Sequence, residues 1–294
     1  MSGAVVAGVD GSQRSLTAAE WAAREAARRG RVLRLVHASP PLPCRVSPVP
    51  GADAWQHVGE QMLGQTVADF RARDPDLEIV GEHTAAEPAE ALLTAAAGAG
   101  LLVVGARGWG GFDGLAVGSV ALRVAAMAQC PVVTVPEARR TGAGWDGAHT
   151  DEVQLGFDAH APAEAPADFA FRAAQERGVP LRVVHAWALP PASPSAWMLT
   201  VLEEDRAMWE DQESQVVSDA LRPWRERYPE VTVVPDVILL NPAEALVRAS
   251  ERAGLLVIGR RAATRPTELR LGPVAHPVLH HAHCAVAVVP HPAL

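Results

Sequence analysis

The sequence predicts an α/β protein built as two similar doubly wound domains in tandem, each a five-stranded parallel sheet with helices on both faces. Three observations carry that expectation. A length of 294 residues corresponds to about two globular domains. The two halves repeat one another. Within each half, short β-branched runs alternate with helical segments rich in Ala, Glu and Arg, the pattern of a parallel sheet with crossover helices.

The repeat is visible residue by residue. Asp10, Trp21, Gly30 and His37 lie 148 positions before Asp158, Phe169, Gly178 and His185. Pro88-Ala-Glu-Ala-Leu92 recurs as Pro242-Ala-Glu-Ala-Leu246, and Ala99-Gly-Leu-Leu-Val103 as Ala253-Gly-Leu-Leu-Val257. Gly105, Gly118 and Cys130 match Gly259, Gly272 and Cys284 at a spacing of 154. The change in spacing places a six-residue insertion between His185 and Pro242. The domains are expected over residues 1–139 and 150–294, joined by the turn-rich stretch from Ala138 to Thr150 with Gly142, Gly144 and Gly147.

In the first unit, Ala4–Val9 reads as a buried strand. Ser15–Arg29 reads as a helix closed by Gly30 in the position of a C-cap glycine. Strand Val32–His37, a proline-rich loop from Ala38 to Gly51, helix Ala52–Arg73 and strand Leu77–Glu82 follow. Next come helix Pro88–Ala97, whose leading proline is pre-organised for a helix start, and strand Leu101–Val104. Helix Ser119–Met127 and strand Pro131–Val135 complete the unit. In such sheets ligands bind beyond the carboxyl ends of the strands, where the strand order reverses.

Composition removes several functions. The 26 basic residues are all arginine, so a Walker A lysine, a Schiff-base lysine and a pyridoxal-phosphate lysine are excluded. A phosphate here must be held by backbone N–H groups, hydroxyls, a metal ion or Arg. A net charge of −8 argues against general nucleic-acid binding, which needs a basic face. Three scattered cysteines (Cys44, Cys130, Cys284) make neither a disulfide framework nor a metal clip. No apolar run reaches the ~18 residues that span a bilayer, and the N-terminus shows no signal-peptide pattern. A cytoplasmic protein without membrane contact is expected. Six acids between Glu203 and Glu213 read as the solvated face of a helix.

The segment Gly105-Ala-Arg-Gly108, then Trp109–Val117, then Gly118-Ser119-Val120 follows a strand and opens a helix. Gly105 and Gly108 allow a tight turn and close backbone approach. Gly118 and Ser119 are expected to present free N–H groups where the helix dipole favours an anion, and the Ser119 hydroxyl to cap the helix or meet a phosphate oxygen. Glycine spacing alone does not separate a phosphate loop from an ordinary strand-to-helix turn.

Gly105-x2-Gly108-x9-Gly118-Ser119 resembles the ATP-binding signature of the universal stress proteins, with every position filled. Val9-Asp-Gly-Ser12, Val36-His37 and Cys130-Pro-Val132 agree, and the resemblance covers essentially the whole chain as two domains. It implies a Rossmann-like fold of the adenine nucleotide α-hydrolase type and a stress-response protein that binds ATP together with Mg2+. It also implies roles for single residues: Asp10 on the adenosine, the backbone at Ala38 on the adenine, Gly105 and Gly108 on ribose and phosphates, and Gly118, Ser119 and Val120 on the phosphate tail. Pairing between domains through the last strands, Pro131–Val135 and Ala285–Val289, is a further implication, made within one chain or in a dimer of tandems. From the residues alone, Asp10 also fits a turn or helix cap before Gly11, and Arg107 is a candidate phosphate partner.

The second copy departs from the signature. Ala262 stands where the second glycine belongs, Pro273 replaces the serine after Gly272, and Ala159-His160 replaces Gly11-Ser12. Proline removes a hydroxyl and an N–H from the helix start, so weak or absent ATP binding is expected there. His280-His281-Ala-His283-Cys284 looks like a metal cluster, but adjacent helical side chains diverge, and no metal ligands are assigned. His37 and His185 read as strand-end residues. Helix Ser195–Tyr228, with Trp197, Met198, Leu202, Met208, Trp209 and Trp224, is expected to pack on the sheet. The leading function is a nucleotide-binding sensor or regulatory module without catalytic residues. A slow ATP-hydrolysing enzyme and a nucleotide-free scaffold are the alternatives.

Overall fold

The computed structural model describes residues 3–40, 52–108, 117–136, 152–187, 203–262 and 271–292. The first repeat contains β1 (Val5–Gly8), α1 (Gln13–Arg29), β2 (Leu33–Ala38), α2 (Ala52–Arg73), β3 (Ile79–Thr84), α3 (Pro88–Ala95), β4 (Leu101–Gly105), α4 (Ser119–Met127) and β5 (Val132–Val135). The second contains β6 (Val153–Gly156), α5 (Glu164–Arg177), β7 (Leu181–Trp187), α6 (Glu203–Arg227), β8 (Val233–Leu239), α7 (Pro242–Ala249), β9 (Leu255–Arg261), α8 (Ala275–His281) and β10 (Ala285–His291). Each element expected in the first repeat is present, with ends shifted by up to two residues. The Pro-rich loop tip, the linker and residues 195–202 of the expected tryptophan-rich helix lie outside the described residues.

Local chemistry explains the element ends. Gly30 sits at φ 57° and ψ 46°, and its N–H donates to the carbonyls of Ala26 and Ala27, closing α1; Gly178 closes α5 in the same way at φ 64°. That left-handed conformation is open to glycine at little cost. Ser12 starts α1 by accepting from the Ser15 N–H at 3.2 Å. Leu101 to Val104 are buried on both sides, as a central parallel strand requires.

The strands form one ten-stranded sheet in the order β3-β2-β1-β4-β5-β10-β9-β6-β7-β8. Pairing is parallel within each half and antiparallel only at the seam, where Thr134, Val133 and Val132 face Val286, Ala287 and Val288. The two last strands thus join the repeats within one chain. Helices α1, α2, α5 and α6 cover one face in a core that crosses the seam and includes Trp21, Phe70, Phe169, Phe171 and Leu221. Helices α3, α4, α7 and α8 cover the other with Leu92, Val124, Leu246 and Val278. On α6, Trp224 is buried while Met208 is 59% exposed, so the helix packs along one stripe only.

Charged groups reinforce the seam. Glu25 of α1 is fully buried and meets Arg177 of α5 at 2.5 Å, Arg29 at 2.5 Å and Arg28 at 3.2 Å. The Arg29 contact is a close ion pair without hydrogen-bond alignment. Arg29 and Arg177 are equivalent positions of the two repeats, so one carboxylate clamps both. Desolvation lowers the Arg177 pKa, and Glu25 opposes that shift. On the opposite face, Arg260 donates to the Ala128 carbonyl at 2.6 Å. Among the described residues no helix is long and apolar enough to cross a membrane.

Candidate functional site

In the first half the strand order 3-2-1-4-5 reverses between β1 and β4. Their connections leave toward opposite faces and open a crevice at the carboxyl edge. A cavity of about 310 Å³ occupies it, at the lower end of small-molecule sites. All seven residues expected from the sequence line it: Asp10, Ala38, Gly105, Gly108, Gly118, Ser119 and Val120. Arg107 lines it too. Of the intervening loop, only Val117 is among the described residues, and it is buried.

Asp10 lies two residues past β1. Its Oδ1 accepts the Ser12 N–H at 3.0 Å, so the turn-forming role is real for that oxygen. The helix cap itself is Ser12, not Asp10. Oδ2 faces Gly108, where any Cβ would collide with it. A side chain at position 108 would displace the Asp10 carboxylate from this position. Gly105 is also confined, since a Cβ would lie 3.1 Å from the Arg14 carbonyl oxygen.

Ala38 is the last residue of β2 rather than the first of the loop. Val36 accepts from the Val9 N–H, and Ser39 donates to the Thr84 carbonyl. Since alternate residues of a strand turn their polar backbone groups to opposite neighbours, the Ala38 N–H and C=O face the side of β1, beyond its end. Val9 is already engaged there, its carbonyl 2.8 Å from His37 Nδ1. The Ala38 amide edge is left to the cavity.

The start of α4 corrects two expectations. The Gly118 N–H is not free; it donates to the Ala106 carbonyl at 2.7 Å. Ser119 does not cap the helix: Gly118 is the N-cap, without a side-chain cap bond, and Ser119 is the first helical residue. The intrahelical ladder begins with the Leu122 N–H donating to Gly118 at 3.1 Å. The N–H groups of Ser119, Val120 and Ala121 therefore precede it, as orphan donors at a helix N-terminus do. Gly118 contributes by lacking a side chain. Its backbone is extended (φ −82°, ψ 159°), and an added Cβ would meet nothing closer than 3.6 Å. Among the described residues nothing in the backbone or the packing demands glycine there.

The second half places a cavity of about 420 Å³ at the equivalent edge, lined by Asp158, His185, Ala186, Gly259 and Arg261. There the residues equivalent to the first turn of the phosphate loop, 259–262, pair with the last strand. β9 and β10 run on to Arg261 and His291, and the Ala262 N–H donates to the His291 carbonyl at 2.7 Å. Gly272 is left-handed at φ 58°, unlike Gly118, and α8 starts only at Ala275. Pro273 removes the donor that the first helix offers at Ser119.

Model matching finds the universal stress protein family over residues 1–136 and again over 150–290. The chain belongs to the universal stress protein family. A universal stress protein of Mycobacterium tuberculosis is 31% identical over 293 residues, covering 97% of this chain and 95% of that relative. One from Mycolicibacterium smegmatis is 30% identical over 303 residues, covering 97% and 96%. The crystal structure of a universal stress protein from Archaeoglobus fulgidus shares the fold with a TM-score of 0.67 at 16% identity, covering 99% of this chain and 97% of that one. The tandem arrangement is therefore that of full-length relatives.

The remaining histidines fall as follows. His280 and His281 sit in the last turn of α8, with ring centroids 6.3 Å apart; burial, then His276 and His281, lower the His280 pKa. They do not converge. Among the described residues, three His, Cys, Asp or Glu ligand atoms come within 4.8 Å of one another only at His160, His185 and Glu213. The sequence reading missed that group. Part of its signal was present in the repeat, where His160 stands at the position of Ser12; the structure matches Glu213 to Gly59, where a Cβ would meet His37 Nε2 as Glu213 meets His185 Nε2.

Proposed function

We propose that this universal stress protein is a nucleotide-responsive regulatory module that holds ATP with Mg2+ in its first domain, while the second domain serves as its structural partner. The start of α4 carries this reading. Three consecutive N–H groups precede the helical ladder, and beside them lies a glycine that neither its backbone conformation nor its contacts among the described residues require. That pairing suits an anion brought close to a helix N-terminus, and with no lysine in the chain backbone donors must do that work. Arg107 adds positive charge to the same cavity. The Ala38 amide edge supplies one donor and one acceptor for a base, and the Asp10 carboxylate suits a ribose hydroxyl. Bound Mg2+–ATP would supply a compact, charged phosphate tail, and the protein's part is to bind and orient it.

The test is to denature freshly purified protein and identify released nucleotides by mass spectrometry, for the wild type and Asp10→Ala. ATP at up to one equivalent, reduced in the variant, supports the proposal. Release of cyclic AMP or another nucleotide replaces ATP as the occupant. Equal occupancy in both proteins places the nucleotide elsewhere.

A further inference from the structure

The ligand set that distinguishes the second domain lies beside its cavity. His185, at the end of β7, has a side chain only 3% exposed. Its Nδ1 is 3.0 Å from the Phe157 carbonyl oxygen, and the Ala159 N–H lies farther off at 3.4 Å. Both contacts engage Nδ1, so Nε2 is the ring nitrogen that faces the cavity residues. Nε2 faces Glu213 Oε2 at 3.2 Å. His160 Nε2 reaches the same oxygen at 2.9 Å, and the His160 main-chain N–H is anchored on Asp158 Oδ1 at 3.1 Å.

Two imidazole nitrogens meet one carboxylate oxygen here, and either protons or a single metal cation can bridge such a group. Two imidazoles and a carboxylate form the His2Glu set of zinc sites that keep a coordination position open. In tetrahedral zinc, N and O ligands ~2.0–2.1 Å from the metal lie about 3.3 Å from each other. The N···O contacts of 2.9 and 3.2 Å are close to that spacing, and all three ligand atoms lie within 4.8 Å of one another, so modest side-chain adjustment would admit a cation. The Phe157 carbonyl behind His185 is the kind of outer partner that fixes a ligating ring. All three residues line the 420 Å³ cavity.

The first domain is the internal control. His37 is held in the same manner, Nδ1 on the Val9 carbonyl at 2.8 Å. There Gly59 supplies no carboxylate and Ser12 no imidazole. The repeat that keeps the glycine loop lacks the ligand set, and the repeat that lost the loop has it.

We propose that the second domain binds one divalent transition-metal ion of the zinc class through His160 Nε2, His185 Nε2 and Glu213, with a coordination position open to the cavity. The test uses the tag-free full-length protein, stripped with chelator and titrated with Zn2+ against a chromogenic competitor. Co2+ is then substituted to read the ligand field. One tight equivalent is expected, weakened at least ~10-fold by His160→Ala and by Glu213→Gln, with a Co2+ spectrum of four-coordinate N/O type. The exposed His160 makes its variant a safe test of folding, checked by circular dichroism. Asp10→Ala and His280→Ala should leave the affinity unchanged. Affinity that is unchanged in both His160→Ala and Glu213→Gln, lost in His280→Ala, or undetectable in the wild type overturns the proposal.

Discussion

Gly118→Ala separates what the fold needs from what a ligand needs. The Gly118 backbone is extended at φ −82° and ψ 159°, a conformation any residue adopts, and the new methyl would find its nearest neighbour at 3.6 Å, an ordinary contact. Alanine is a poorer N-cap than glycine by about 1 kcal/mol, and stiffening the unfolded chain returns roughly 0.4–1 kcal/mol. Stability should barely change, so Tm is expected within about 4 °C of wild type. Binding should change more. The methyl stands beside the Ser119, Val120 and Ala121 N–H groups, and losing one hydrogen bond to a charged phosphate costs about 1.5–3 kcal/mol, roughly 10- to 100-fold in Kd. Calorimetry with ATP and a melting curve on the same preparation read both quantities. An ATP affinity within threefold of wild type would refute the argument that the glycine is kept for a ligand.

Other expected outcomes follow from the same geometry. Glu25→Gln leaves Arg177 buried without its carboxylate partner and Arg29 with only Glu176, at 3.3 Å, and should lose about 3–5 kcal/mol in guanidinium unfolding; a loss under ~1 kcal/mol would show that the clamp adds little. Burial pushes the thiols up, Cys130 to about 11 and Cys284 to about 12, so neither should react with iodoacetamide at pH 8 in the native protein. Because their folded pKa values exceed the ordinary 9.0, the stability they contribute is complete below pH 9 and lost as pH rises toward 11–12. That slope should flatten in Cys284→Ala. The double variant Ala262→Gly/Pro273→Ser should still bind no nucleotide in the second domain, since the β9–β10 pairing runs through Arg261 and the Ala262 N–H is held by the His291 carbonyl; a second ATP site of matching affinity in that variant would contradict this.

Much of the fold was legible because the repeat gave two readings of each element. Gly30 and Gly178 marked helix ends through a conformation that glycine adopts readily, and Leu101 to Val104 marked a central strand by unbroken apolar character. The seven site residues also fall together, because each follows a strand or opens a helix at one sheet edge. Other features depend on hydrogen-bond direction or on distant partners. Nothing in the order of residues shows that the Gly118 N–H turns back to Ala106. Nor does it show that β9 runs on to Arg261 and that the Ala262 N–H is taken up by the His291 carbonyl. The Glu25 clamp unites residues 152 apart across a seam. The His160–His185–Glu213 group was spread over a turn, a strand and a helix. It shows in sequence only in part, as the departure of His160 from Ser12.

The division between the two domains is tested most directly by the stoichiometry of ATP binding. Isothermal titration of the intact, nucleotide-free chain with Mg2+–ATP should give one equivalent, abolished or strongly weakened by Asp10→Ala and unaffected by Asp158→Ala. Two equivalents of comparable affinity, or a single one lost in Asp158→Ala and kept in Asp10→Ala, would contradict the account.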